Sequence, residues 1–213
     1  MTNINFNHLR PLALSNTNTQ PYDFSNCSDA DIGPLIHTIG TLGKDLVGLE
    51  LGVFTGTSFL TLLHSLPNIK TLHGIDNYKP YGDCIGQPYT GTPFYSVDQK
   101  DSEVHRFTAF HRIEHSGMKE KVVFHEMDSS EALKKFEPES LDFIFLDDYM
   151  SYEQIVDEVR SWYPIVKNGG LFSGHDWDAA ITRKGVSEVR DEVEPDAVIT
   201  GYNNSWSWIK NKK

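Results

Sequence analysis

The chain is expected to form an α/β fold with a mostly parallel sheet covered by helices on both faces. Three observations predict it. Apolar runs of strand length alternate with segments of helical period along most of the sequence. Leu46-Val-Gly-Leu-Glu-Leu-Gly-Val-Phe-Thr-Gly-Thr-Ser58 has the form of a buried strand, a Gly-rich turn and a helix start. Near the C-terminus two short runs flank Gly201-Tyr-Asn-Asn204, which is a hairpin signal.

Residues 1–27 form an irregular Asn/Thr/Ser-rich arm, and 28–213 form one domain. The first helix begins at Ser28 or Asp29, either able to cap it, and presents Ile32, Leu35, Ile36 and Ile39 as its apolar face before Gly43. A strand at Val47–Leu51, a helix from Ser58 to about Ser65 and a strand at Thr71–Ile75 follow. Asn77 to Val97 is too long for a plain connection and concentrates Tyr78, Tyr81, Tyr89, Phe94 and Tyr95 among prolines. That density predicts a substrate-covering loop or an oligomer contact. Next come a helix at 98–115, a strand at Val122–His125, a helix at Glu131–Phe136 and a strand at Leu141–Leu146. Ser151-Tyr-Glu-Gln154 is a capping box opening a helix that runs to Val166, where Asn168-Gly169-Gly170 stops it. A strand at Gly170–Ser173, a helix around Val186–Val193, and strands at Ala197–Thr200 and Ser205–Ile209 complete the chain. Trp206 and Trp208 are expected on opposite sides of the last strand, one in the core and one on the surface.

Composition excludes several functions. Thirty acidic against 19 basic residues give a net charge of −11, which repels polyphosphates and anionic membrane surfaces. Nucleic-acid partners are therefore disfavoured. Cys27 and Cys84 match no metal or redox spacing. The N-terminus lacks the apolar core of a signal peptide, and no run reaches the roughly 20 apolar residues of a membrane span. A soluble, cytosolic protein is expected.

The turn at 52–56 discriminates among cofactors. Gly52-x-x-x-Gly56 lacks the middle glycine that lets a backbone approach a pyrophosphate, and no lysine follows Gly56 as in a phosphate-binding loop. With Glu50 two residues ahead, the pattern resembles the first motif of class I S-adenosylmethionine-dependent methyltransferases, Asp/Glu-x-Gly-x-x-x-Gly. The resemblance covers about Val47 to Lys210. It implies a Rossmann-like, seven-stranded sheet in the order 3-2-1-4-5-7-6 with the last strand antiparallel, and S-adenosyl-L-methionine as cofactor. Glu50, Gly52, Val53, Phe54, Thr55, Gly56, Thr57 and Ser58 would surround its methionine half, with Ser58 capping the following helix. Asp76, ending the second strand, would accept both ribose hydroxyls. Asp128 and Ser129 would meet the adenine, although Asp128 equally suits a helix N-cap.

Asp147-Asp148 ends the fourth predicted strand and His175-Asp176 the next. Carboxylates suit Mg²⁺ or Mn²⁺, and imidazole is compatible with Mn²⁺. The pattern is similar to metal-dependent small-molecule O-methyltransferases and to a branch that includes sugar O-methyltransferases, which implies Asp147, His175 and Asp176 as ligands and Asp147 beside the cofactor. One departure matters: where those relatives place a His or Lys base, this chain has Met150, which can neither take nor give a proton. His175 is then the remaining base, with Asp147 beside it. Tyr149, Tyr152 and Trp177 are candidates to stack on an acceptor.

The reading is methyl transfer to a hydroxyl of a small molecule or sugar, with assistance from a divalent metal. Its alternatives are N- or carboxyl-methylation, which needs neither base nor metal, and a cofactor-binding subunit without catalysis. An NAD-linked oxidoreductase stands last because the middle glycine is missing.

Overall fold

The computed structural model describes residues 29–80, 98–148 and 151–211, with side chains from Asp31 onward. The 1–27 arm, both cysteines, the bulk of the aromatic-rich insertion (81–97) and the pair Tyr149-Met150 lie outside the described residues.

Thirteen elements follow one another as α1 (Asp29–Thr41), β1 (Leu46–Leu51), α2 (Thr57–Ser65), β2 (Ile69–Asp76), α3 (Gln99–His115), β3 (Val122–Glu126), α4 (Ser129–Leu133), β4 (Leu141–Leu146), α5 (Tyr152–Trp162), β5 (Val166–Gly174), α6 (Ala180–Val193), β6 (Thr200–Tyr202) and β7 (Ser205–Ile209). They build one seven-stranded sheet in the order β3-β2-β1-β4-β5-β7-β6. β1 to β5 pair in parallel, and β7 runs antiparallel to both β5 and β6. Strands buried on both faces need continuous apolar runs, and Phe143-Ile-Phe-Leu146 supplies one in β4, with Asp142 only half-buried at its start. Two apolar clusters result. One gathers Ile32, Phe59, Leu62 and Phe143, and the other packs Ile144, Val159, Trp162 and Val189.

Four local expectations are corrected. The helix opened by the Ser151–Gln154 capping box stops at Trp162 rather than Val166, because Pro164 starts a 3₁₀ turn over 163–165. β5 therefore begins at Val166, and Asn168-Gly169-Gly170 lies inside it as an irregularity in its pairing with β4, made possible by Gly169 at φ 83°. The C-terminal turn is only Asn203-Asn204, since Tyr202 pairs with Ser205, and Ala197 falls before β6. Trp206 and Trp208 share one face, as residues two apart on a strand must, and stack at 5.5 Å with both rings buried.

Candidate active site

Backbone hydrogen bonds zip the carboxyl ends of the central strands together. Gly52 N–H donates to Ile75 O (2.9 Å), Asp147 N–H to Leu51 O (2.9 Å) and His175 N–H to Leu146 O (2.9 Å). The register thus delivers Asp76, Gly52, Asp147 and His175 to one edge of the sheet, the edge where open α/β sheets bind ligands.

Gly52 is required by a close approach. At φ 78°, a Cβ there would lie 2.2 Å from the carbonyl oxygen of Asp147, so its bareness lets the first loop rest on the end of β4. Beyond it, Val53 and Thr55 turn inward and are buried, while Phe54 takes a left-handed φ of 51°. Asp76 fixes that loop: its Oδ2 accepts from Phe54 N–H (2.8 Å) and its Oδ1 from Tyr78 N–H (2.8 Å). The Tyr78 hydroxyl donates to Phe54 O (3.1 Å), and the Phe54 ring lies 4.2 Å from that of His105. From α3, Arg112 Nη1 donates to Thr55 O (3.1 Å) and Thr57 Oγ1 (2.9 Å). His105 and Arg112 carry no local motif, and the sequence reading missed them; Tyr78 it singled out only as one of the aromatic residues of the 77–97 segment.

Ser58 does not cap α2. The N-cap is Gly56 at φ 82°, without a side-chain bond, and Ser58 sits inside the helix with its hydroxyl donating to Glu50 Oε1 (2.6 Å). Glu50 is completely buried and its Oε2 has no hydrogen-bond partner among the described residues. Burial holds its carboxyl well above the usual range; Ser58 opposes that shift, while Asp147 and Asp76 add to it. A buried carboxyl with one oxygen unpartnered among the described residues therefore stands behind the loop.

Asp128 is the N-cap residue of α4 by position, yet its side chain makes no cap. It accepts instead from Asn77 Nδ2 (2.9 Å) and Lys79 Nζ (2.7 Å), and the Lys79 bond first, then Asn77, holds it below the usual carboxylate range. The Ser129 hydroxyl donates to Glu158 of α5.

Asp147, His175 and Asp176 do come together: one ligand atom from each lies within 4.8 Å of the others. His175 Nδ1 is 3.2 Å from Asp147 Oδ1 and 3.2 Å from Asp176 Oδ1. Burial alone would lower the imidazole's pKa, but the two carboxylates outweigh it and push the group up to about 10. Asp176 reaches back through a left-handed φ of 59°, a conformation aspartate tolerates. Three donors this close, two of them carboxylates, fit a single divalent cation.

A further carboxylate arrives from α1. Asp31 Oδ2 lies 3.8 Å from His175 Nε2, while its Oδ1 accepts from Asn204 N–H (3.3 Å). Asn204 organises this side: its carbonyl accepts from Trp177 N–H (2.9 Å), its Oδ1 from Asp178 N–H (2.8 Å), and its Nδ2 donates to Asp176 Oδ1 (3.4 Å). Tyr152 and Trp177 are occupied structurally: the Tyr152 hydroxyl donates to Glu188 of α6, and Trp177 packs against the core and Gly201.

Residues 49–177 match methyltransferase family 24, described as a methyltransferase domain. The chain belongs to this family, and its sheet order is that of the class I S-adenosylmethionine-dependent methyltransferases. No curated protein matches it. A crystal structure of a protein from Corynebacterium glutamicum shares the fold at a TM-score of 0.64 and 15% identity, over 98% of each chain. The O-methyltransferase from Bacillus cereus in complex with SAH aligns at 0.58 and 15% identity, over 96% of this chain and 90% of that one. The O-methyltransferase TomG from Streptomyces achromogenes, involved in tomaymycin synthesis and in complex with SAM, aligns at 0.57 and 14% identity, over 95% and 96%.

Proposed function

We propose that the chain transfers the methyl group of S-adenosylmethionine to a hydroxyl on a small molecule or glycoside, with a divalent cation held beside the acceptor. The observation that carries this reading is the row of potential ligands along one sheet edge: Glu50, with a buried oxygen unpartnered among the described residues behind the Gly52–Gly56 loop, then the carboxylates of Asp147 and Asp176 and the imidazole of His175 within one ion's reach. Family membership and the SAM and SAH complexes of the structural neighbours support the cofactor.

In this reading the 52–58 loop lies along the methionine half, and Glu50 balances its charge through the loop. Asp76 anchors the loop and has lone pairs left for the ribose, and Asp128 and Ser129 lie at the adenine end. Methyl transfer breaks a carbon–sulfur bond and forms a carbon–oxygen bond, so the protein's tasks are to align the oxygen with the sulfonium and to dispose of the hydroxyl proton. Alignment supplies about 7 to 11 kcal/mol. His175 accepts a proton only when neutral, and without a cation Asp147 and Asp176 favour its charged form; a cation bound at its nitrogen would displace that proton. A divalent cation bound by these three residues would supply the acidity that the acceptor hydroxyl needs. Among the described residues no helix is long and apolar enough to cross a membrane.

Calorimetry with S-adenosylhomocysteine, with and without Mg²⁺ or Mn²⁺, tests both halves. Micromolar binding of the cofactor product, and a separate heat for Mn²⁺ that Asp147→Asn abolishes, are expected. Absence of binding to S-adenosylhomocysteine refutes the reading.

A further inference from the structure

A cavity of about 140 Å³ opens between α5 and α6 beside the cluster. Ile155, Val186 and Trp206 wall it, Ile181 stands at its mouth, and His175 and Asp176 form its rim. Its walls are buried: Val186 and Trp206 are shielded from solvent, and Trp206 Nε1 donates to His175 O (2.9 Å), which ties one wall to the site. Its mouth is accessible, since Ile181 is 45% exposed. None of these walls is needed to hold the cofactor or a cation.

We propose that this slot is an acceptor subsite for the apolar side of a neutral, single-ring alcohol or phenol, whose hydroxyl is thereby presented at the His175–Asp176 rim. The proposal rests on the methyl-transfer reading and narrows its acceptor. Size is the first argument: aliphatic cavities of roughly 150 Å³ admit one benzene ring. Chemistry is the second: Asp148, His175, Asp176 and Thr182 can meet some hydroxyls of a hexose, but those turned to Ile155, Val159 and Val186 would find no partner, which costs affinity. Charge is the third. Asp148 also lines the slot and Asp147 lies on His175, so a carboxylated acceptor meets several carboxylates at once.

The test titrates the full chain with phenol, cyclohexanol, 4-hydroxybenzoate and glucose, following methyl resonances of Ile155 and Val186 by NMR. Saturable shifts with the first two, at least tenfold weaker with the last two, are expected. Ile181→Trp, a change at an exposed position, closes the mouth and weakens phenol at least tenfold while S-adenosylhomocysteine binds as before. Equal response to glucose and phenol, or phenol binding untouched by Ile181→Trp, overturns the subsite. The two readings fail separately. Phenol held in the slot but never methylated from S-adenosylmethionine leaves the subsite standing and removes the hydroxyl acceptor. Methylated glucose with no phenol binding does the reverse.

Discussion

Asp31 Oδ2 stands 3.8 Å from Nε2 of His175, on the edge of the imidazole opposite the two carboxylates at Nδ1. A metal-binding histidine commonly gives its second N–H to a carboxylate, which fixes the ring's orientation and raises its basicity. Asp31 is the carboxylate that faces Nε2, though beyond hydrogen-bonding distance, so that Nε2 has no hydrogen-bond partner among the described residues; it lies outside the 49–177 segment that matches the family. Asp31→Asn is therefore expected to weaken Mn²⁺ binding about tenfold, the low end for such partners. S-adenosylhomocysteine affinity should not move. Calorimetry of both ligands on the variant checks this, and unchanged Mn²⁺ affinity would show that Asp31 does not act through His175.

If Glu50 serves the cofactor as proposed, it does so at a cost in stability. Its folded-state pKa lies above the unfolded value, so ionisation favours the unfolded chain as pH rises past about 4.3. At neutral pH the residue thus costs stability, and Glu50→Gln should raise the unfolding free energy by about 1 to 3 kcal/mol, the range for a badly solvated buried polar group. The advantage should vanish below about pH 4, where both states hold the proton. Binding of S-adenosylhomocysteine should weaken by about tenfold or more. Thermal unfolding across pH and a binding isotherm measure the two effects, and a variant that loses both stability and affinity would show Glu50 to be a plain structural acid.

Sequence periodicity reveals the sheet because strand and helix patterns are local, and the strand ends follow from it; Asp147, His175 and Asp176 meet as their positions imply. What was illegible is made by distant contacts. Asp31 and Asn204 are separated by 173 positions, and Arg112 and Thr55 by 57, so neither partner advertises the other. Ser58 has the composition of a cap but finds a stronger acceptor in Glu50, eight residues earlier and buried. Gly169-Gly170 has the composition of a helix stop, and the backbone freedom that suggests a stop serves an irregular strand instead.

The two loop glycines are not equivalent. Gly52→Ala places a Cβ 2.2 Å from backbone at a φ of 78°, so β4 must withdraw from the loop. Gly56→Ala meets only ordinary contact with Ala109, at 3.6 Å, and bears the cost of its φ of 82° alone. The first should lose more than about 3 kcal/mol, combining overpacking with backbone strain, and the second about 1 to 2 kcal/mol. Denaturant unfolding of the pair measures the difference, and equal losses would mean that the approach of Asp147 to the loop is not what Gly52 provides.

His105, packed on Phe54 of the 52–58 loop, is expected to make the fold's stability sensitive to acid. Burial depresses its pKa to about 4, partly opposed by Asp101, and its ring rests on Phe54. The unfolded chain binds this proton first, near pH 6.5, so the contribution is whole above that value and is lost as pH falls toward 4. At about 1.36 kcal/mol per unit of pKa, the loss is at most about 3 kcal/mol. His73, also held near 4 by burial and by His125, adds to the same slope. His105→Phe should flatten the fall in stability between pH 6.5 and 4 without removing the part due to His73. Urea unfolding midpoints over that range read it, and an unchanged slope would mean that His105 takes up its proton in the folded chain as readily as in the unfolded one.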